Sequence, residues 1–181
     1  MQSALIFLVK TLTDLYLLAY LLRFIMQWTR ADFFNPFGEA IVRITNPLVV
    51  PARRLVPSAR GIDLPTLAVL VLLEALATLL LLALVGISVP VGLFVYFVVL
   101  RLIDLTLWFY TFAILIYVIL SWIGPGRYSP AGSILSDLVE PVLRPVRRVV
   151  PPIAGLDLSP LLVLIVIQFV VRLLDLPWFL R

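Results

Sequence analysis

The sequence predicts an all-α integral membrane protein with four transmembrane helices, arranged as two parallel-repeat helical hairpins. Its composition, an internal repeat and four long apolar segments lead to this prediction. Hydrophobic residues make up 63% of the 181 residues, charged residues only 13%, and the mean hydropathy is +1.16. A chain of this composition cannot assemble a water-soluble surface, so we expect it to be embedded in a bilayer.

A segment rich in proline and arginine occurs twice, 94 residues apart. The first copy, Pro47-Leu-Val-Val-Pro51-Ala-Arg53-Arg54-Leu-Val-Pro57, recurs as Pro141-Val-Leu-Arg-Pro145-Val-Arg147-Arg148-Val-Val-Pro151. The two copies align without a gap from residue 36 to 64 against 130 to 158. A repeat of this length identifies the copied structural unit before any single residue does.

Four segments are long and apolar enough to cross a membrane, which takes about 20 residues. They run from about 5 to 28, 64 to 86, 99 to 123 and 158 to 180. The 94-residue offset places the first on the third and the second on the fourth, so residues 1–86 and 99–181 each predict one hairpin. Two crossings separate equivalent points, so both hairpins have the same orientation.

Residues 87–98 connect the two hairpins and are apolar but too short to cross alone. They could lie along the interface and lead into the third transmembrane helix. Alternatively, a long tilted helix could begin near Val89. Both options remain open from the sequence.

The loop within each hairpin predicts interfacial helices, at about 36–57 and 130–151. Asn35-Pro36 and Ser129-Pro130 each place a capping side chain before a proline suited to the first helical turn. Apolar residues then follow at helical spacing: Phe37, Ala40, Ile41 and Ile44 in the first copy, and Ala131, Ile134, Leu135 and Leu138 in the second.

Prolines and glycines predict where those helices end. Pro47 and Pro141 should end the first stretch, because the residue before a proline is pushed away from helical geometry. A second short interfacial helix and a turn at Gly61 or Gly155 should follow. We expect Asp63, and Asp157 or Ser159, to cap the next transmembrane helix.

The charge distribution predicts the orientation of the chain. The loop from residue 30 to 63 holds five arginines and the loop from 124 to 157 holds four, whereas residues 86–90 hold no charge. Positive loops remain in the cytoplasm, so both arginine-bearing loops should be cytoplasmic and both termini periplasmic. Lys10 and Asp14 interrupt the first apolar run, so we expect no cleaved signal peptide.

Several classes of site are excluded or disfavoured. Cysteine and histidine are absent, which removes thiolate and imidazole metal sites, covalent haem attachment and a histidine base, so we expect no cofactor. Asp14 and Asp104 lack the glycine-rich setting of an aspartyl intramembrane protease, so we expect no enzyme and no catalytic residue. The net charge of +4 lies mostly in two loops, which argues for membrane orientation rather than nucleic-acid binding.

Eight charged residues fall within the predicted spans and should face the bundle interior, water or the interface. They are Lys10, Asp14, Arg23, Glu74, Arg101, Asp104, Arg172 and Asp175. The spacings of Lys10 with Asp14, Arg101 with Asp104 and Arg172 with Asp175 let each pair meet on one helix face, all toward the outer end. We interpret these pairs first as a structural belt and second as a transport path.

Glu74 and the paired arginines are the most distinctive candidates. Glu74 lies near mid-helix, where Arg23 or Thr78 could bond to it or where burial could keep it protonated. Structural and functional interpretations of Glu74 are equally open. Arg53, Arg54, Arg147 and Arg148 stand beside interfacial apolar residues, where they could bind lipid phosphates or simply hold the loop in the cytoplasm.

The pattern Arg23-x4-Trp28, Asn35-Pro36-Phe37, the doubled Pro-Arg-Arg-Pro segment and Gly61-Ile-Asp63 resembles the YggT (YlmG) family of small bacterial and plastid membrane proteins. The resemblance covers almost the whole chain and implies two tandem modules in a bacterial inner membrane. It also implies assembly of cytochrome complexes, as in plastid relatives, or roles in cell division and osmotic stress, as in bacterial ones.

We therefore predict a non-enzymatic scaffold or assembly factor that acts at the cytoplasmic membrane face. Membrane lipids, including anionic ones, and other membrane proteins are the expected partners, and a homo-oligomer is left open. A small oligomeric channel or ion-coupled transporter linked to osmotic stress is the alternative.

Overall fold

The computed structural model describes residues 2–58, 61–123, 130–150 and 157–180. These residues form helices and loops without a β-strand, which confirms the all-α prediction. The helices are α1 (Gln2–Thr29), α2 (Pro36–Leu55), α3 (Leu64–Val85), α4 (Val91–Ile123), α5 (Pro130–Val149) and α6 (Ser159–Leu173).

Three of these helices, α1, α3 and α4, are long and apolar enough to cross a membrane. The fourth predicted span, 158–180, is shorter than expected because α6 ends at Leu173. Its 15 residues cover about 22 Å, less than the roughly 30 Å of a hydrocarbon core. Pro177 accounts for the early end, because its ring excludes helical geometry at the preceding residue and blocks a helical bond to residue 173.

The segment after α6 turns back onto the bundle. Leu176, Phe179 and Leu180 are buried in a small core with Ile6 of α1, Leu81 and Leu82 of α3 and Phe97 and Leu100 of α4. These three side chains fix the segment against the bundle through van der Waals packing. The segment therefore closes the end of the bundle at which α3 ends and α4 begins.

The connection between the hairpins belongs largely to α4. This helix runs without a break from Val91 for 33 residues, about 50 Å. The long helix is thus the option that the structure adopts. Gly86, in the left-handed conformation at φ 76°, ends α3 and leaves only residues 86–90 between the two helices.

The prediction that Pro47 and Pro141 end the loop helices is wrong, because α2 and α5 continue through them and through Pro51 and Pro145. In each helix the two prolines are one turn apart on the exposed face. The residues whose carbonyl groups they leave unbonded, four positions earlier, are also exposed, while the opposite face is buried. Tertiary packing therefore overrides the local helix-breaking tendency.

The buried face of α2 is also turned relative to the predicted one. Gly38, Ile41, Thr45 and Val49 are buried, whereas Phe37, Ala40 and Ile44 are exposed. In α5, by contrast, Ile134 and Leu138 are buried as predicted, together with Val139 and Leu143; the side chain of Ala131 lies outside the described residues.

The predicted turn and cap residues are found at the first hairpin. The Asn35 side chain accepts a hydrogen bond from the Gly38 amide at 2.9 Å, and Gly61 has φ 80°. Asp63 occupies the N-cap position of α3, but its carboxylate accepts from the Thr66 hydroxyl rather than from a backbone amide. Ser129 and Gly155, their counterparts in the second copy, lie outside the described residues.

Gly38 is where α2 approaches the preceding loop most closely. A Cβ atom there would lie 2.7 Å from the carbonyl oxygen of Phe33 and 2.9 Å from its Cα. We expect Gly38→Ala to destabilise the protein by about 1 to 3 kcal/mol, because backbone must move to admit the methyl group. Gly92→Ala is the matched control, since nothing lies within 4 Å of its Cβ position. Equal melting temperatures for the two variants would contradict this account.

The main core takes buried side chains from all six helices. α1 packs along α3, α3 against α4 and α4 against α6, while α2 lies across α1 and α3. α5 lies across α4 and α6 and also reaches α1, so it joins the two repeats. Tyr20, Met26, Ile114 and Leu143 are among the fully buried side chains of this core.

Candidate functional site

A cluster of charged side chains lies inside the bundle. The guanidinium of Arg101 donates hydrogen bonds to Glu74, to Asp14 Oδ1 at 2.9 Å and to the carbonyl oxygen of Leu180 at 3.0 Å. Lys10 pairs with the other oxygen of Asp14 at 2.5 Å, as its spacing predicts. We call Lys10, Asp14, Glu74 and Arg101 the ion cluster; it joins α1, α3, α4 and the C-terminal segment.

Glu74 and Arg101 are the buried centre of the ion cluster. Only 1% of Glu74 and 4% of Arg101 are exposed. The Thr78 hydroxyl donates a hydrogen bond to Glu74 at 3.3 Å, as the sequence suggested. The cation that pairs with Glu74 is Arg101 and not Arg23. Two cations and two carboxylates make the ion cluster neutral overall. A buried pair that is matched and hydrogen-bonded in this way holds helices in one arrangement.

The other two predicted pairs do not form as expected. Arg101 donates its hydrogen bonds to groups on other helices, Glu74 and Asp14, rather than to Asp104, which is buried on the same helix. Arg172 and Asp175 are both exposed, and no ion pair joins them in the part of the chain that the structure describes. The end of α6 at Leu173 explains this, because Asp175 then lies outside the helix that would have aligned the two side chains.

The paired arginines form the second candidate site, and the two copies behave alike. Arg53 Nη2 contacts Asp63 Oδ2 at 3.2 Å, and Arg147 Nε contacts Asp157 Oδ2 at 2.8 Å. Each pair links the end of a loop helix to the residues just before the next helix. We call these repeated pairs the arginine latches.

The carboxylate of the first latch is more deeply buried than that of the second, whereas its arginine is more exposed. The Asp63 side chain is fully buried and also accepts from the Thr66 hydroxyl at 2.7 Å. Arg23 lies 4.0 Å from the same carboxylate and donates to Thr45 at 2.6 Å and Asn46 at 2.9 Å. Arg23 therefore serves the latch rather than Glu74.

The second latch has more partners and more exposure. Arg147 also donates to Glu140 at 2.6 Å and to the Tyr117 hydroxyl at 3.2 Å. Burial alone would raise the pKa of Asp157, but hydrogen bonds from the Ser159 amide and from Arg147 outweigh it and hold that pKa below its usual range. Burial acts to lower the pKa of Arg147, and its bonds to Asp157 and Tyr117 raise it above the ordinary value.

The second arginine of each pair has a different environment. Arg54 and Arg148 are exposed, and within the described ranges neither forms an ion pair. Arg43 and Arg144 are exposed on the same helices. The sequence analysis treated both members of each pair as equivalent. In the structure the first member of each pair bonds to an aspartate, although about half of the Arg53 side chain is still exposed, and the second member is exposed.

No cluster of acidic side chains in the described ranges resembles a metal site: no three or more of them come together there as metal ligands would.

Comparison with protein families and known sequences gives a consistent result. A family model described as CCB3/YggT matches residues 2–84 and again 96–179, two segments that begin 94 residues apart. An uncharacterized Pseudomonas aeruginosa protein, PA0392, is 40% identical over 173 residues, covering 94% of this chain and 87% of the relative. An uncharacterized Vibrio alginolyticus protein is 39% identical over 93% of this chain and 91% of its own.

A third relative carries the family name. The uncharacterized protein YggT of Escherichia coli K12 is 33% identical over 172 residues, covering 95% of this chain and 89% of its own length. No solved structure matches the chain.

Proposed function

The chain belongs to the CCB3/YggT family as two tandem modules, and from this premise we propose that it is a non-enzymatic scaffold or assembly factor of the bacterial inner membrane. In this proposal its arginine-bearing loops face the cytoplasm and hold anionic lipid or a partner protein. The termini are periplasmic, and α6 with the segment up to Leu180 completes a fourth crossing.

One observation carries the proposal: the exposed surface of the loop helix α2 is both apolar and cationic. On α2, Ile44, Leu48 and Leu55 are exposed beside Arg43 and Arg54. Such a surface matches the headgroup region of a membrane, where apolar side chains enter the acyl boundary and arginines contact phosphates.

The latches support the same role. Arg53 and Arg147 hold each loop helix against the bundle, so the neighbouring Arg54 and Arg148 are presented from a rigid support. A preorganised cationic surface loses less conformational entropy when it binds than a free loop would. The exposed arginines are therefore the ligand-binding candidates, and the latched ones are positioning residues.

Replacing the exposed arginines should weaken anionic-lipid binding while the fold persists. We expect Arg54→Gln or Arg148→Gln to lower the affinity of the detergent-solubilised protein for a short-chain phosphatidylglycerol by about fivefold each, since one arginine near an anionic surface contributes about 1 kcal/mol. Titration followed by native mass spectrometry measures this. Arg172 is an exposed arginine at the far end of α6, and the Arg172→Gln protein should bind phosphatidylglycerol as tightly as the wild type does.

Unchanged affinity in well-folded Arg54→Gln and Arg148→Gln proteins would contradict lipid binding at this surface.

A transport function is tested separately by solute and ion flux into proteoliposomes. Glu74 is enclosed by Arg101 and Thr78, which favours a structural role. Flux that depends on the wild-type protein and that Glu74→Gln abolishes would overturn the scaffold proposal.

A further inference from the structure

An elongated groove lies between α1 and α4 and ends against α5, with a cavity volume of about 590 Å³. Its floor includes Ala113, Ile134 and Leu138, which are nearly fully buried. Its rim includes Leu15 and Phe112, which are largely exposed. The groove therefore opens sideways, toward the surroundings of α1 and α4.

The lining of the groove is amphipathic along its length. Its polar residues all lie at one end: Lys10, Thr11, Asp14, Arg101 and Asp104. From there to Leu120 the lining is apolar, a distance of 16 residues or about 24 Å along α4. Such a groove matches an amphiphile with one polar end and one long apolar chain.

We propose that this groove binds one acyl chain of an amine-bearing zwitterionic phospholipid, with the headgroup at the Lys10 end. The charged side chains that line that end are of both signs, two cations and two carboxylates. A zwitterionic headgroup is complementary to both signs, with its phosphate on the Lys10 ammonium and its own ammonium on the carboxylates. An anionic headgroup satisfies only the cations.

The dimensions favour a single chain. A methylene group occupies roughly the volume of a water molecule, about 30 Å³, so 590 Å³ holds about 20 such groups. That is one long acyl chain rather than two, and a transmembrane helix of about 10 Å diameter is much larger. An acyl chain in the groove would make van der Waals contacts with the buried side chains of its floor, contacts that an empty groove lacks.

Lys10 is suited to hold the phosphate. Its side chain is partly exposed, and its partner Asp14 keeps a second bond to Arg101 when Lys10 turns toward a ligand. The groove lining does not include Arg54 or Arg148, so lipid binding in the groove can be tested independently of the proposed function.

The test uses the full-length protein in nanodiscs made of equal parts phosphatidylethanolamine and phosphatidylglycerol. After extraction into mild detergent, native mass spectrometry counts the lipid that each chain retains. We expect one phosphatidylethanolamine per chain in the wild type. Lys10→Gln, which removes the phosphate contact, should weaken the binding of this lipid about tenfold, the factor that one charge-assisted hydrogen bond carries. Ile116→Trp, which places an indole in the groove, should lower the amount of retained lipid at least as much.

Two matched controls make the result specific. Ile119→Trp changes the same residue type on the same helix, at 53% exposure against 49% for Ile116, but outside the groove. Arg172→Gln removes an exposed cation elsewhere. Equal lipid retention by Ile116→Trp and Ile119→Trp would overturn the proposal. Phosphatidylglycerol whose retention Ile116→Trp abolishes and Ile119→Trp leaves intact would overturn it equally, as would a lipid-free dimer that Ile116→Trp dissociates. Phosphatidylglycerol held at Arg54 and Arg148 is distinguished by its insensitivity to Ile116→Trp.

Discussion

Replacing Arg101 with methionine is expected to destabilise the protein by about 3 to 5 kcal/mol, because it leaves the buried carboxylate of Glu74 without its cation. Arg101 bonds to carboxylates on two other helices and to the Leu180 carbonyl. Methionine has a similar length and fills the space, so the loss reports charge and hydrogen bonding rather than a cavity. The free energy of unfolding, measured by titrating sodium dodecyl sulfate into mixed micelles, checks this value.

Glu74→Gln should have a smaller effect, about 1 to 2 kcal/mol. The glutamine carbonyl can still accept from Arg101, which keeps its ion pair with Asp14. Arg172→Met is the control for Arg101→Met, because Arg172 is exposed and should change stability little. If Arg101→Met were as stable as Arg172→Met, the ion cluster would not hold the helices together.

Features set by local sequence were predicted correctly. The Asn35 cap and the Lys10 pair with Asp14 depend on neighbours within four residues. For such short separations, helix geometry alone decides which side chains meet. The arginine latches were not among these predictions, although the repeat places Arg53 before Asp63 and Arg147 before Asp157 at equal spacing.

Features set by packing between helices were missed or misassigned. Arg101 and Glu74 are 27 residues apart on different helices, and nothing in either helix alone favours that partner over Asp104. The continuity of α2 through Pro47 likewise depends on Thr45 and Val49 being buried against the bundle. A local rule about proline cannot weigh that burial. The C-terminal turn signalled by Pro177 was overlooked because the surrounding residues are apolar enough to continue a span.

The latches provide a second strong prediction, in which the same change in the two repeats has different effects. Asp63→Ala should destabilise the protein by about 3 to 5 kcal/mol, because its carboxylate is fully buried beside Arg23 and Arg53. Without it, the buried guanidinium of Arg23 keeps only neutral partners, Thr45 and Asn46. Asp157→Ala should cost about 1 kcal/mol or less, since 32% of that side chain is exposed.

The contrast depends on what remains after each carboxylate is removed. Arg147 retains Glu140 and the Tyr117 hydroxyl, so its charge stays paired when Asp157 is lost. Chemical unfolding of both single variants and the double variant in the same micelles measures the difference, and the two losses should add, because the latches share no side chain. Equal losses of stability in Asp63→Ala and Asp157→Ala would mean that the buried guanidinium of Arg23 does not make the first latch more important than the second. The first repeat would then have no special role in holding its loop helix, and the exposed Arg54 and Arg148 would be supported equally well.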